Sequence, residues 1–171
     1  MTGDQQPSSP PFTVGLGYDV HRFAEGRKLV LGGVEIDYKL GLDGHSDADV
    51  LLHAIMDALL GAAGLPDIGN LFPNTDSAWK DASSLDLLAD VVSRLEPLGW
   101  QIGNVDATVI AEAPKIYTHV SEMKRRISAV LKVSQTQVGI KATTNDRMGF
   151  VGRKEAIAAM ATALLYRDKP A

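Results

Sequence analysis

Lys28-Leu29-Val30-Leu31-Gly32-Gly33-Val34-Glu35-Ile36 reads as a β-hairpin, two short apolar runs meeting at a Gly-Gly turn. The rest of the chain alternates strands with helices, which alone would suggest a parallel sheet. An opening hairpin points instead to an α+β fold, a two-layer α/β sandwich whose sheet mixes strand directions.

Outward from the hairpin, Phe12 to Phe23 mixes β-favouring residues with glycines and reads as a strand. Gly41 to Gly44 reads as loop. Ser46-x-x-Asp49 fits a capping box that opens a helix. Val50, Leu51, Ala54, Ile55, Ala58 and Leu59 then recur at helical spacing as far as Gly61 to Gly64. Asp67 to Asp76 is rich in turn formers. Ser83 or Ser84 caps a second helix running to about Leu95. Trp100 to Ile110 alternates as a strand and stops before Ala113-Pro114. His119 to Leu131 is a third helix, Val138 to Ala142 a short strand, and Gly149 to Gly152 a turn. In Glu155 to Tyr166 the alanines favour helix, the period is not clean, and either state fits.

With 171 residues, one domain is expected, spanning residues 12–168. Residues 1–11 are polar, contain three prolines and read as a disordered tail. They lack an apolar signal core, and no apolar run is long enough to span a membrane. The net charge of -4 gives a nucleic-acid role no electrostatic support. A cytosolic enzyme is the expectation. The absence of cysteine excludes disulfides and thiolate nucleophiles, and limits any zinc site to His, Asp and Glu.

Three of the four histidines fall in two short segments. Gly17-Tyr18-Asp19-Val20-His21-Arg22-Phe23 places Asp19 and His21 at i and i+2, on one face of a strand. His45-Ser46-Asp47-Ala48-Asp49-Val50-Leu51-Leu52-His53 puts His53 well inside a helix, so it approaches from a second element. Two imidazoles and a carboxylate leave a tetrahedral zinc one open position, the arrangement of a catalytic zinc. Asp49 and Asp57, one turn before and after His53, are available to orient its ring, or are solvated helix charges. A satisfied carboxylate beside core histidines fits the same residues. His45 and Ser46 open the helix, where backbone N–H groups can hold an anion; Ser46 also fits a plain cap.

Gly17-Tyr18-Asp19-Val20-His21, His45-Ser46-Asp47-Ala48-Asp49, Asp67-Ile68-Gly69-x-Leu71-Phe72-Pro73-x-Thr75-Asp76, Gly103-Asn104-Val105-Asp106, Ala111-x-Ala113-Pro114-Lys115 and Lys141-Ala142-Thr143-Thr144 occur in this order. From Val14 to Leu165 the chain resembles the 2-C-methyl-D-erythritol 2,4-cyclodiphosphate synthase family of the non-mevalonate isoprenoid pathway. The resemblance implies a homotrimer whose sheets face the three-fold axis and whose active sites lie between subunits. It implies a substrate, 4-diphosphocytidyl-2-C-methyl-D-erythritol 2-phosphate, whose 2-phosphate attacks the β-phosphorus so that a cyclic diphosphate forms and CMP leaves. It also makes the final segment a strand.

Residue by residue, the resemblance implies zinc on Asp19, His21 and His53, the first two also bordering the substrate. His45 and Thr144 become transition-state stabilisers, with Ser46 and Thr143 beside the phosphates. Asp67 and Gly69 contact ribose or erythritol hydroxyls. Phe72 to Asp76 form a loop over the methylerythritol, with Asn74 where aspartate is common. Ala111, Ala113, Pro114 and Lys115 form a cytosine pocket. Asp146 stands where many relatives carry a glutamate that binds Mg²⁺ or Mn²⁺. Phe150 and Arg153 border an axial cavity for an isoprenoid diphosphate, although the usual continuation has glycine around its glutamate and this chain has Lys154-Glu155-Ala156 instead. His119 matches no functional position. Two rival readings use the same residues: a zinc phosphodiesterase acting through metal-bound water, and a non-catalytic isoprenoid-diphosphate-binding trimer.

Overall fold

The structure is a computed structural model that describes residues 11–167. The expected tail lies outside the described residues except for Pro11, whose carbonyl accepts the Arg167 N–H at 2.9 Å. The far end of the expected domain, residue 168, lies outside them too.

A 13-residue strand, β1 (Phe12–Ala24), organises the rest. It is followed by the hairpin β2 (Leu29–Leu31) and β3 (Val34–Ile36), then β4 (Gly41–Leu42), α1 (Val50–Ala63), α2 (Ile68–Leu71), α3 (Ser84–Leu95), β5 (Gln101–Ile110), α4 (Val120–Leu131), β6 (Val138–Thr143), α5 (Gly149–Gly152) and β7 (Ala156–Tyr166). Among the described residues, five strands form the main sheet in the order β4-β1-β7-β5-β6, and β2 with β3 forms a separate ribbon. β1 runs antiparallel to β7, β7 antiparallel to β5, and β5 parallel to β6. The sheet is therefore mixed, as expected. Gly32 and Gly33 take φ of +58° and +72°, which the two-residue turn of the hairpin needs.

β7 resolves the ambiguous segment as a strand. It pairs with β1 from Ala156 to Tyr166 and with β5 from Ala158 to Tyr166, with Phe12 opposite Tyr166 and Arg22 opposite Ala156. Ile157, Ala159, Ala161 and Ala163 are buried under α1. Central pairing overrides alanine's helix preference.

α1 is the central helix and is buried almost all round, because β1 and β7 lie beneath it and α3 beside it. Leu51, Leu52, Ile55, Leu59 and Leu60 are fully buried, each such side chain contributing about 1.5–3 kcal/mol. α3 turns Leu87, Leu88, Val91, Val92 and Leu95 inward, and α4 adds Met123, Ile127 and Leu131. α1 lies directly on β1 because Gly15 and Gly17 face it. A β-carbon at either position would fall 2.0 Å from the carbonyl oxygen of Ala58 or Ala54 respectively.

Four local expectations need correction. Gly41–Leu42 is not loop but β4, paired with Phe23 and Ala24 of β1. Asp67–Asp76 contains α2, capped by Asp67. Gly149–Gly152 is a helical turn rather than a simple reversal. The capping box is also displaced: α1 starts at Val50, and its cap is Asp49, whose carboxylate accepts the Leu52 N–H. His45 and Ser46 therefore lie in the loop before α1, not on its first turn.

The opposite face of β1 is exposed. Phe12, Val14, Leu16, Tyr18 and Val20 project from it along β1, joined by Met160 of β7. Val14 and Leu16 are 66% and 63% exposed, a continuous apolar stripe of the kind that marks an interface.

Candidate functional site

Asp19 and His21 project from the helix-facing side of β1, in the same stripe as Gly15 and Gly17. The glycines let α1 settle close, and α1 delivers His53 onto the two strand residues. His53 Nδ1 lies 3.0 Å from Asp19 Oδ2 and 3.1 Å from His21 Nε2, and His21 Nε2 lies 3.0 Å from the same Asp19 oxygen. Ligands about 2.0–2.2 Å from a tetrahedral ion stand roughly 3.3–3.6 Å apart. The observed triangle is a few tenths of an ångström tighter, and the three residues form the metal-type cluster found among the described residues.

The protonation pattern favours a cation there. His21 Nδ1 lies 2.5 Å from the carbonyl oxygen of Asp43, so that nitrogen carries a proton and Nε2 is the atom that faces the triangle. Burial pushes the Asp19 carboxyl up, yet the His21 and His53 rings against it outweigh burial and hold the carboxyl well below its ordinary range. Burial likewise works against a charged His21, but the Asp19 carboxylate prevails and its pKa rises. The cluster attracts positive charge strongly enough to reverse two desolvation penalties.

His53 Nε2 faces Ser84 Oγ at 3.2 Å and Ser46 Oγ at 3.3 Å. The carboxylates expected to orient it are occupied elsewhere. Asp49 accepts the N–H groups of Gly33 at 2.7 Å and Leu52 at 3.1 Å, and Asp57 accepts that of Ile68 at 2.9 Å. Helical spacing placed them near His53 in sequence, but each faces an orphan backbone donor.

His21 and His53 of the triangle line a cleft of about 350 Å³, together with His45, Ser46, Gly69, Phe72, Asn74 and Trp79. Phe72 and Trp79 pack edge to face, ring centroids 5.0 Å apart. His45 Nε2 lies 3.0 Å from the Asp76 carbonyl oxygen, tying the histidine to the loop. The Asp76 carboxylate caps the turn behind it by accepting the Ala78 N–H at 2.9 Å. Arg27 donates to the Ser46 carbonyl at 2.5 Å and so fixes the loop from behind. Asp67 does not line this cleft. Hydrogen bonds from the side chain and backbone of Asn70 hold its carboxyl below the ordinary value.

A second cleft, about 270 Å³, is lined by Ala111, Pro114, Lys115, Tyr117, Thr143 and Thr144 among others. The Ala113-Pro114 peptide is cis. The parallel pairing of β5 with β6 continues into the Ala111 N–H bond to the Thr143 carbonyl, which joins the two segments. Asp146 and Arg147 follow with φ of +49° and +62°. Glu112, missed in the sequence, accepts the N–H groups of Asn145 at 3.1 Å and Arg147 at 2.9 Å and pins this left-handed turn. The two clefts share no lining residue; within one chain the zinc-type cluster and the Asp146 segment are not brought together. Phe150 is exposed, Arg153 pairs with Glu155 at 2.7 Å, and neither lines the cleft on the apolar sheet face.

The YgbB family model matches residues 12–166. Among relatives, the 2-C-methyl-D-erythritol 2,4-cyclodiphosphate synthase of Symbiobacterium thermophilum is 63% identical over 152 residues, covering 89% of this chain and 97% of its own. The synthase of that name from Synechococcus elongatus is 57% identical over 157 residues, covering 92% and 98%. A solved structure described as IspF from Plasmodium falciparum in complex with CDP superposes with a TM-score of 0.83 at 35% identity, over 95% of this chain and all of that one. The bifunctional IspDF of Campylobacter jejuni gives 0.88 at 41% identity; this chain matches 91% of its own length and spans 42% of that protein.

Proposed function

The chain belongs to the YgbB family, and from that membership we infer its reaction: it is a 2-C-methyl-D-erythritol 2,4-cyclodiphosphate synthase of isoprenoid biosynthesis. An oxygen of the substrate's 2-phosphate forms a bond to the β-phosphorus of 4-diphosphocytidyl-2-C-methyl-D-erythritol 2-phosphate. The bond from that phosphorus to the bridging oxygen breaks, and the oxygen leaves with CMP. The single structural observation that carries the reading is the Asp19-His21-His53 triangle, whose two histidines line an apolar-walled cleft.

Our assignment of the parts follows the geometry. Asp19, His21 and His53 would hold zinc, and Asp146 a magnesium or manganese ion; when bound, the ions supply positive charge to phosphate oxygens that otherwise repel one another. His45 and Ser46, at the cleft wall, offer hydrogen-bond donors to the 2-phosphate. Ile68, Phe72, Trp79 and Leu87 keep water from the reacting centre, so that the substrate's own phosphate is the attacking group. Thr144 donates to the phosphate that departs with CMP. The backbone of Ala111 to Lys115 receives the cytosine, a reading supported by the CDP bound in the Plasmodium relative.

The two half-sites are completed across a homotrimer in this proposal. The apolar stripe on β1 supports it, since burying that face against copies of itself relieves the exposure. No helix among the described residues is long and apolar enough to cross a membrane, and we place the enzyme in the cytoplasm.

Phosphorus NMR on a reaction time course tests the reading. A cyclic diphosphate appearing with CMP is expected. Linear hydrolysis products would indicate the phosphodiesterase, and no CMP at all the binding trimer.

A further inference from the structure

The geometry points to Asp47 and Ser84 as positioning residues for the metal ligand His53, whose binding tautomer they favour. This inference rests on the metal reading of Asp19, His21 and His53. Ser84 is fully buried at the first position of α3. Its hydroxyl lies 2.5 Å from Asp47 Oδ1, and its backbone N–H donates to Asp47 Oδ2 at 2.9 Å. The carboxylate, taking the backbone N–H on one oxygen, accepts the hydroxyl proton on the other. A serine hydroxyl has one proton. Once it is directed at Asp47, Ser84 Oγ presents only lone pairs to His53 Nε2, 3.2 Å away. Ser84 Oγ therefore favours a ring proton on that nitrogen, which Ser46 Oγ, 3.3 Å away, is also placed to accept. In that tautomer Nδ1 is left with a lone pair aimed at Asp19 and His21, where the ion would sit.

The arrangement is stitched in place by the backbone. Asp47 N–H donates to the Ala82 carbonyl at 3.1 Å, and Asp81 N–H to the His45 carbonyl at 2.9 Å, so the loop bearing Asp47 is tied to the approach to α3. Ser83, formally the cap of α3, makes no side-chain capping bond; Asp47 caps that helix from a remote segment instead. One carboxylate thus fixes the start of α3 and the ring orientation of His53. It mirrors what the Asp43 carbonyl does for His21. Outer partners of this kind typically tune metal affinity about 10–100-fold.

The test uses Ser84→Ala, which deletes the hydroxyl link and leaves the Ser84 backbone bond to Asp47 intact. Nitrogen chemical shifts of the His53 ring, read in the metal-stripped protein, should show a larger Nε2–H population in the wild type than in the variant, where the Asp19 carboxylate draws the proton to Nδ1. Zinc affinity, measured by chelator competition, should fall about 10–100-fold. Unchanged tautomer, or unchanged zinc affinity in a folded variant, overturns the proposal. Asp47→Asn supplies the same comparison if Ser84→Ala does not fold. A wild type that takes up no zinc would overturn the metal reading itself, while the tautomer ratio would still decide the positioning.

Discussion

A β-carbon on Gly17 would fall 2.0 Å from the Ala54 carbonyl oxygen. Gly17 lies two residues before Asp19 on β1, and Ala54 follows His53 on α1, so backbone contact between strand and helix sets the separation of Asp19 and His21 from His53. Gly17→Ala must push α1 away or bend it. We expect a loss of about 1–3 kcal/mol in urea unfolding together with at least tenfold weaker zinc binding. A variant that unfolds and binds zinc like the wild type would show that the contact does not govern the site.

His53→Ala should lose most of its zinc and nearly all CMP release, because the remaining Asp19 and His21 offer too few ligands for the ion. Metal analysis of the purified variant reads this directly. Full zinc occupancy would remove His53 from the ligand set.

Asp146→Ala should lower kcat sharply while zinc content stays normal, since Asp146 does not line the cleft that holds His21 and His53. Excess Mg²⁺ should restore part of the rate, because substrate phosphates supply other ligands to that ion. A parallel loss of zinc would mean the two positions are not independent.

Asp49 gives the fold a defined pH dependence. Burial pushes its carboxyl up from 3.8 to about 6, against hydrogen bonds from backbone N–H groups that pull it down. The folded state holds this proton more tightly than the unfolded state does. Its stabilising contribution is fully present below pH 3.8 and is lost as pH rises to about 6, a difference of about 3 kcal/mol. Asp49→Asn cannot titrate. The stability of the wild type relative to Asp49→Asn should therefore decline by about that amount between pH 4 and pH 7, on top of a constant difference from the altered cap bonds. Urea titrations at several pH values measure it, and a pH-independent difference contradicts the assignment.

Leu16→Glu places a charge in the apolar stripe of β1. Sedimentation should show a trimer for the wild type and smaller species for the variant, with activity falling in parallel. Mixed assemblies of His53→Ala and Asp146→Ala subunits should regain part of the activity that each lacks alone. A fully active monomer would contradict the shared site.

Much of this was legible where the signal is local. The Asp-x-His spacing needs only strand alternation to put both side chains on one face, and they are there. The hairpin needs only its Gly-Gly turn. Signals that depend on partners remote in sequence were misread or invisible. Ser46-x-x-Asp49 looks like a box, yet Asp49 is the cap, because the chain turns into α1 through Ala48 at φ +57°. Asp49 and Asp57 have helical spacing to His53, whereas the ring finds Ser84, 31 residues away. Glu112 is unremarkable in sequence; its role follows from the parallel pairing of β5 with β6. β7 has a composition that suits a helix, and only its place between two strands decides otherwise.

β1 keeps two separate ledgers on alternate residues: Gly15, Gly17, Asp19 and His21 serve the interior, while Val14, Leu16, Tyr18 and Val20 form the outward stripe. Point changes on one set can therefore drift without disturbing the other, so chemistry and assembly can evolve at different rates along a single strand. Insertion or deletion of one residue has no such freedom. It would exchange the two sets wholesale, driving bulky side chains against α1 and turning the carboxylate and imidazole outward. Length variation within residues 14–21 should accordingly be forbidden in any chain that keeps both properties, however freely its individual letters change.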